Sequence, residues 1–572
     1  MNQKVEYSTY NNFSKVHISS NPTDSFLTNS SVQFKLSNLQ GKVVCIEVYP
    51  GVDKNNLRDV LLNQPSFDTI IDIESYLIDE DSMSNLLSPY LTCDRVFGKM
   101  CPLEIEDLYQ INKINALKSI ISNSDKRVLI YGFGASLIPY DTLIYVDISR
   151  WEIELRYRDG LKGFTSSKEE DLLRKFKRGY FIEWRIADRV KMKHFEKADY
   201  YIDANIINHY TMISRALYQK GLDYLSNHPF RLVPYYDPGI WGGQWMKKVC
   251  HLDPKEDNYA WSFNGVPEEN ALCFDIDGTD FVFPAMNLVL FRSIPLLGQK
   301  VVNQFGAEFP IRFDFLDTMG GGNLSLQVHP TKSYIKDTFG MEYTQDESYY
   351  ILDAKDDASV YLGLKEEKKP TQLIEALEKA DSSNSLFSDK DYLNQFPAKK
   401  HDHFLIPAGT IHCSGKNTMV LEISSTPYIF TFKLWDWGRL GLDGIPRPVH
   451  INHGKKVIQF DRTTNWVKKN LINRFERISN VEEKTGLHEL EFIETRRFTF
   501  DKEIMTNTNE SVNVLMVVEG SGVKVTPSQN QEDVFIVNYA ECFIIPESVQ
   551  SYTFEPLVPK EKCMVLKAYI RT

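Results

Sequence analysis

Residues 320–330 read GGGNLSLQVHP, and the fold of the second half of the chain is decided here. Three glycines and an asparagine make a turn, and the run after it alternates polar with apolar residues, the pattern of a β-strand with one face buried. Period two puts Ser325, Gln327 and His329 on one face and Leu326 and Val328 on the other. A polar face turned into an apolar β-barrel must be satisfied by hydrogen bonds or by a metal ion, because an unpartnered buried polar group is costly. Two later segments offer partners. In DESYYILDA (346–354) Glu347 is the acid that enters an apolar strand, and FLIPAGTIHCSG (404–415) presents His412 after a Pro–Gly turn. Two imidazoles, a carboxylate and an amide oxygen make a donor set suited to Zn2+ or another borderline divalent ion. The expectation is one metal ion per chain held by Gln327, His329, Glu347 and His412.

Around this strand the texture is that of an antiparallel β unit. From about residue 231 turn signals (DPG, NG, DG, GGGN) are frequent and short runs alternate apolar with polar, which predicts a sandwich or barrel over 231–455. A helical insertion is expected over 366–396, where TQLIEALEK (371–379) is amphipathic with Thr371 as its N-cap. Residues 456–572 read as a linker followed by a second β unit, of which the region after 510 is a weaker echo of 345–425. Its one histidine, His488, lies outside its strands, so no imidazole pair is expected to hold metal there.

The first part reads differently. Residues 1–40 are polar and predict a frayed tail or an edge hairpin. In 41–230 the apolar runs VVCIEVY (43–49), TIIDI (69–73), VLIYGF (128–133), TLIYVDI (142–148) and ADYYID (198–203) alternate with helical stretches at 106–122 and 168–178. Such alternation predicts an α/β unit on a parallel sheet, of P-loop-kinase-like or Rossmann-like type. GFGASL (132–137) follows an apolar run as a phosphate-cradling turn would. The third glycine of the dinucleotide fingerprint is replaced by Leu137, and no Walker lysine follows, so a tight structural turn without ATP hydrolysis is expected. FDIDGTD (274–280) resembles a phosphatase nucleophile motif, but its flanks predict a β-hairpin with a glycine turn.

The 572 residues exceed one domain of ~100–200 residues, so several domains are expected. Acids outnumber Lys plus Arg by 77 to 65, which argues against nucleic acid as a partner. No run reaches the ~18 apolar residues of a membrane helix, and the N-terminus has no apolar core of a signal peptide. The eight cysteines form no CxxC pair, as expected of a chain in a reducing cytoplasm.

QVHP (327–330), the Glu before YYIL, PAGTIH (407–412), DWGR within KLWDWGR (433–439), WGG (241–243) and FPIRFDFLD (309–317) together resemble the class I, zinc-dependent mannose-6-phosphate isomerases. The resemblance covers roughly 235–455, with a weaker likeness up to 572, while 180–203 distantly resembles nucleoside-kinase-like folds. It implies a cupin (jelly-roll) domain binding Zn2+ through Gln327, His329, Glu347 and His412, a second, metal-free cupin-like domain, and a phosphorylated hexose as substrate. It also implies that Ser325 and Lys332 lie in the sugar-phosphate pocket.

The implied reaction is the interconversion of mannose 6-phosphate and fructose 6-phosphate through an enediol. It needs a base poised near pH 7 and an anion anchor. The basic residues near the motifs are Lys332, Arg312, Lys433 and Arg439, the last equally a structural partner of Asp436. The chain departs from the resembled pattern at Gln345 and Asp314, where the family carries lysines, and at Lys433, where it carries arginine. These departures leave a second reading, a sugar-phosphate-binding or regulatory protein that keeps the metal site without turnover.

Overall fold

The computed structural model describes residues 9–63, 66–166, 168–366, 369–383, 385–425, 430–441, 444, 447–486 and 491–572. His488 lies outside the described residues.

The first part is built on a seven-stranded sheet. Strands β1 (Val43–Val48), β2 (Thr69–Asp72), β3 (Val128–Gly132), β4 (Thr142–Asp147) and β5 (Tyr200–Ile206) run parallel in the order β2-β3-β1-β4-β5. β6 (His209–Ser214) and the short strand Ser25–Phe26 add antiparallel to the β5 edge. β1 and β3 are buried at every position, which is why they read as unbroken apolar runs. The expected helix at 106–122 starts later, at Ile111, because the Gln110 N–H is drawn to the carbonyl of Tyr76.

Residues 9–40 are neither a frayed tail nor a hairpin. Val16–His17 pairs in parallel with Phe274 and Asp275, far along the chain. Thr28 caps the helix Asn29–Ser37, accepting from the Ser31 N–H, and Val32 and Leu36 bury its inner face.

The glycine turn after β3 is closed by acids of the same unit. Glu47 accepts from the N–H groups of Gly134 (2.6 Å) and Ser136 (2.7 Å), and Glu74 accepts from Phe133 N (3.0 Å). Lys54 follows β1. It is held by Asp72 (2.8 Å) and Glu74, while Asp53 caps the turn after it by accepting from Asn56 N. Backbone donors that could cradle a phosphate thus already hold carboxylates.

FDIDGTD is a hairpin of β9 (Ala271–Ile276) and β10 (Thr279–Pro284), turning through Asp277 (φ 51°) and Gly278 (φ 85°). It lies in the segment expected to be cupin but docks on the α/β unit. Asp203 accepts from Val282 N (2.7 Å), and Asn205 donates to Val282 O (2.9 Å).

Two antiparallel sheets make the cupin-like β unit. The six-stranded sheet contains β7 (Tyr235–Asp237), β8 (Trp261–Gly265), β11 (Arg312–Asp317), β13 (Asp346–Ala354), β16 (His403–Ile406) and β18 (Thr418–Ser425), ordered β16-β13-β18-β11-β8-β7. The five-stranded sheet contains β12 (Leu326–Val328), β14 (Ser359–Leu364), β15 (Leu393–Pro397), β17 (His412–Ser414) and β19 (Phe432–Trp435), ordered β15-β14-β17-β12-β19. The insertion is the helix Pro370–Ser383. Thr371 is not its cap: Pro370, which has no N–H to satisfy, takes the first helical position.

The last part pairs a six-stranded with a four-stranded antiparallel sheet around its own core of residues such as Phe498, Leu515, Val525, Phe543 and Phe554. The α/β unit is tied to this last part at its own C-terminal end, where Phe230 exchanges backbone hydrogen bonds with Ile544 (3.0 and 2.8 Å).

Candidate metal centre

His329, Glu347 and His412 come together between the two sheets. Gln327 is opposite His412 in the β12–β17 pair, and Glu347 reaches across from β13. Among the described residues these three side chains form a cluster with one ligand atom of each within 4.8 Å of the others. All are essentially excluded from solvent.

The hydrogen bonds around the imidazoles fix what they offer. His329 Nδ1 donates to Phe430 O (2.9 Å) and His412 Nδ1 donates to Thr410 O (2.9 Å). A carbonyl only accepts, so both protons sit on Nδ1 and both Nε2 atoms present lone pairs. Those lone pairs face the Glu347 carboxylate, at 3.0 Å from His329 and 2.7 Å from His412. Acceptors facing acceptors in a buried space repel unless a proton or a metal cation lies between them, and two imidazoles with a carboxylate are a donor set that fits a divalent metal. Gln327 contacts His412 Nε2 through its amide nitrogen at 3.2 Å, and a half-turn of the amide would present its oxygen instead.

The His412 turn is clamped from several sides. Arg462 donates to Pro407 O (2.6 Å), Ala408 O (2.8 Å) and Thr410 Oγ1. Asp346 accepts from Ala408 N (2.7 Å), and Gly409 N bonds His329 O (3.0 Å). Gly409 has φ +88°, and a Cβ there would meet Val457 O at 2.8 Å, so glycine is required.

Strand register defines one wall. Arg312 is opposite Ser424, which is opposite Glu347; Asp314 is opposite Glu422, which is opposite Tyr349. This face carries mostly acids. Burial, with Glu347 adding to it, raises Asp314 to about 7 against the pull of Arg312. Glu422 is held well above its usual range by burial, then by Glu347 and Asp314. Gln345 donates to Glu347 (2.9 Å) and Glu422 (3.4 Å). Arg312 is buried with its guanidinium 5.0 Å from the Phe263 ring centroid.

The cations gather on the other wall. Lys433 is opposite Gln327 in the β12–β19 pair. Burial lowers its ammonium to about 7, helped by Arg447, with Asp436 acting in the opposite sense. Asp436 accepts from Ser325 Oγ (2.9 Å), Arg439 (2.6 Å) and Arg447 (3.0 Å), and Arg447 also donates to Ser325 Oγ (3.0 Å). Arg439 further donates to Asn323 O (2.7 Å), so its guanidinium is largely committed to structure.

Lys332 stands apart from this group. It opens a helix: Pro330 and Thr331 lead directly into Lys332–Phe339, whose first side chain is exposed. Sequence reasoning missed Arg447, which stands between two prolines in a stretch with no periodic signal. Its spacing of eleven residues from Asp436 was the available clue.

Fold and site together define a protein with a two-sheet antiparallel β unit and a buried His–Glu–His cluster that could hold a metal ion, beside a cluster of cations. The C-terminal region is similar to mannose-6-phosphate isomerases. One relative is the probable mannose-6-phosphate isomerase GmuF of Bacillus subtilis (strain 168), 28% identical over 241 residues, covering 40% of this chain and 68% of that protein. Another is the mannose-6-phosphate isomerase of Streptococcus mutans, 24% identical over 331 residues, covering 55% of this chain and 92% of that one. The solved mannose 6-phosphate isomerase of Bacillus subtilis aligns over 60% of this chain and 100% of its own, at 19% identity and a TM-score of 0.48. Residues 28–227 match a family model described as a domain of unknown function (DUF8485).

Proposed function

We propose that the protein is a zinc-dependent aldose–ketose isomerase that interconverts mannose 6-phosphate and fructose 6-phosphate or a closely related phosphorylated sugar. The observation that carries this reading is the pair of buried imidazole lone pairs aimed at one carboxylate, next to a lysine whose ammonium is held near 7. His329, Glu347 and His412 hold the metal, with Gln327 as a weak, exchangeable fourth ligand. When bound, the metal supplies Lewis acidity and orients the substrate hydroxyls.

The chain's own groups account for the rest. Neutral Lys433 takes the proton from C2 of the aldose and returns it to C1, while the hydroxyl proton passes from O2 to O1. Arg447 supplies the positive charge that anchors the phosphate, and Ser325 and Asp436 fix its position. Arg439 steadies Asp436. Arg312 keeps the acidic wall from repelling the substrate.

The acids of that wall favour a second reading. Asp314 and Gln345 stand where the resembled family has lysines, which fits a protein that binds a sugar phosphate and the metal without turning it over. A coupled assay on mannose 6-phosphate with zinc-loaded protein separates the two. Turnover lost in His329→Ala together with the metal supports the isomerase; wild-type protein that holds zinc and sugar phosphate without turnover supports the second.

A further inference from the structure

Phe97 belongs to the α/β unit, yet its ring is buried among aromatic residues of the cupin-like unit. It stacks on Phe430 (centroids 5.5 Å, 12°) and meets Phe432 edge-on (5.4 Å, 87°), Phe339 (5.6 Å) and His450 (4.9 Å). Phe430 is the residue whose carbonyl receives the His329 Nδ1 proton. A second ring of the α/β unit, Phe181, touches the edge of Phe430 at 6.3 Å.

The loop carrying Phe97 is itself held in shape. Asp94 accepts from the N–H groups of Val96 (2.6 Å) and Phe97 (2.8 Å), and Thr92 Oγ1 donates to Phe97 O (2.7 Å). Lys177 donates to Leu91 O (2.8 Å) and to Asp94 O. Cys101 N bonds Phe181 O (2.9 Å), tying the far end of the loop to the same aromatic group.

We infer that residues 91–101 form a strap by which the N-terminal unit sets the metal centre, with Phe97 as a positioning residue. Its ring fixes the Phe430 peptide, and that carbonyl fixes the tautomer and plane of His329. A partner that orients a metal-binding imidazole tunes metal affinity about 10- to 100-fold. The inference rests on the metal reading above and gives the N-terminal unit a task that needs no ligand of its own.

The measurement is the dissociation constant of Co2+ or Zn2+ in chelator competition, with the visible spectrum of the Co2+ form, on full-length protein. Phe97→Ala raises the dissociation constant tenfold or more and shifts the cobalt bands, and Phe97→Leu, which keeps part of the packing, gives an intermediate loss. Phe195→Ala is the control. It opens a comparable aromatic nest (Tyr145, Tyr201, Tyr218, Phe291) that does not include Phe430, and leaves both readouts unchanged. Phe97 variants with wild-type affinity and spectrum overturn the strap while leaving the metal reading intact, as does an equal loss in Phe195→Ala. If Phe97→Ala does not fold, the Phe97→Leu value decides. Wild-type protein that binds neither ion overturns the metal reading and the strap with it.

Discussion

Lys433 is the residue on which the proposed chemistry turns. A free lysine is almost wholly protonated at neutral pH; burial beside Arg447 brings this one to about 7, where half of it is a base. With the base form required, kcat/KM rises with pH through about 7 and levels off above it. Lys433→Met lowers kcat by about 10²–10⁴ and removes that inflection. The same shift has a stability consequence. Between pH 7 and the unfolded value of about 10.4 the unfolded chain binds more protons at this site, so its stability contribution improves as pH rises through that window. Lys433→Met therefore raises the melting temperature at pH 6 and gains little at pH 10.

Among the cations, Arg447→Ala costs a charge-assisted bond of roughly 1.5–3 kcal/mol, a rise in KM for the phosphorylated sugar of about tenfold or more. Lys332→Ala, at an exposed helix start, changes KM less than twofold. An inverted pair of results assigns the anchor to Lys332. Lys433 stood out in the sequence because it begins a dense motif. Arg447 did not, since its role comes from contacts with Asp436 and Ser325 that no local pattern announces.

At the scale of elements, period two put Gln327 and His329 on one face, while Glu347 was legible as an acid entering an apolar run and His412 as a histidine after a Pro–Gly turn; the structure brings His329, Glu347 and His412 together. The glycine turn shows where such reading stops. GFGASL has the form of a phosphate cradle, and only the structure shows that Glu47, nearly ninety residues earlier, fills it. The protein should accordingly bind no ATP by calorimetry. Glu47→Ala strands the Gly134 and Ser136 N–H groups and lowers stability by about 1–3 kcal/mol, read by denaturant titration. ATP binding that is lost when Gly134 is changed would contradict the closed turn.

Across the whole molecule, the fold classes were legible from where strand–helix alternation gave way to turn-rich β texture, but the joints between the parts were not, because they are long-range. Val16–His17 pairs with 271–276, Phe230 with Ile544, and Glu268 receives both Arg150 (3.1 Å) and Arg185 (2.8 Å). No local pattern announces such contacts. A protease cut at 205–235, expected of a linker, should not release a stable N-terminal fragment, because this segment is hairpin, helix and bridge. Glu268→Ala leaves two largely buried guanidinium groups without that carboxylate and should destabilise the protein by about 3–5 kcal/mol in a single transition. Two separate melting steps would show that the parts are independent.

The proposed isomerisation depends on a metal ion bound by His329, Glu347 and His412. One titration of metal-stripped protein with Zn2+, following bound metal and mannose 6-phosphate turnover together, reads that dependence directly. Turnover should appear in proportion to occupancy, saturate at one ion per chain, and be absent together with the metal in His412→Ala. Full turnover in the stripped protein, or in His412→Ala, would refute the metal-dependent isomerase.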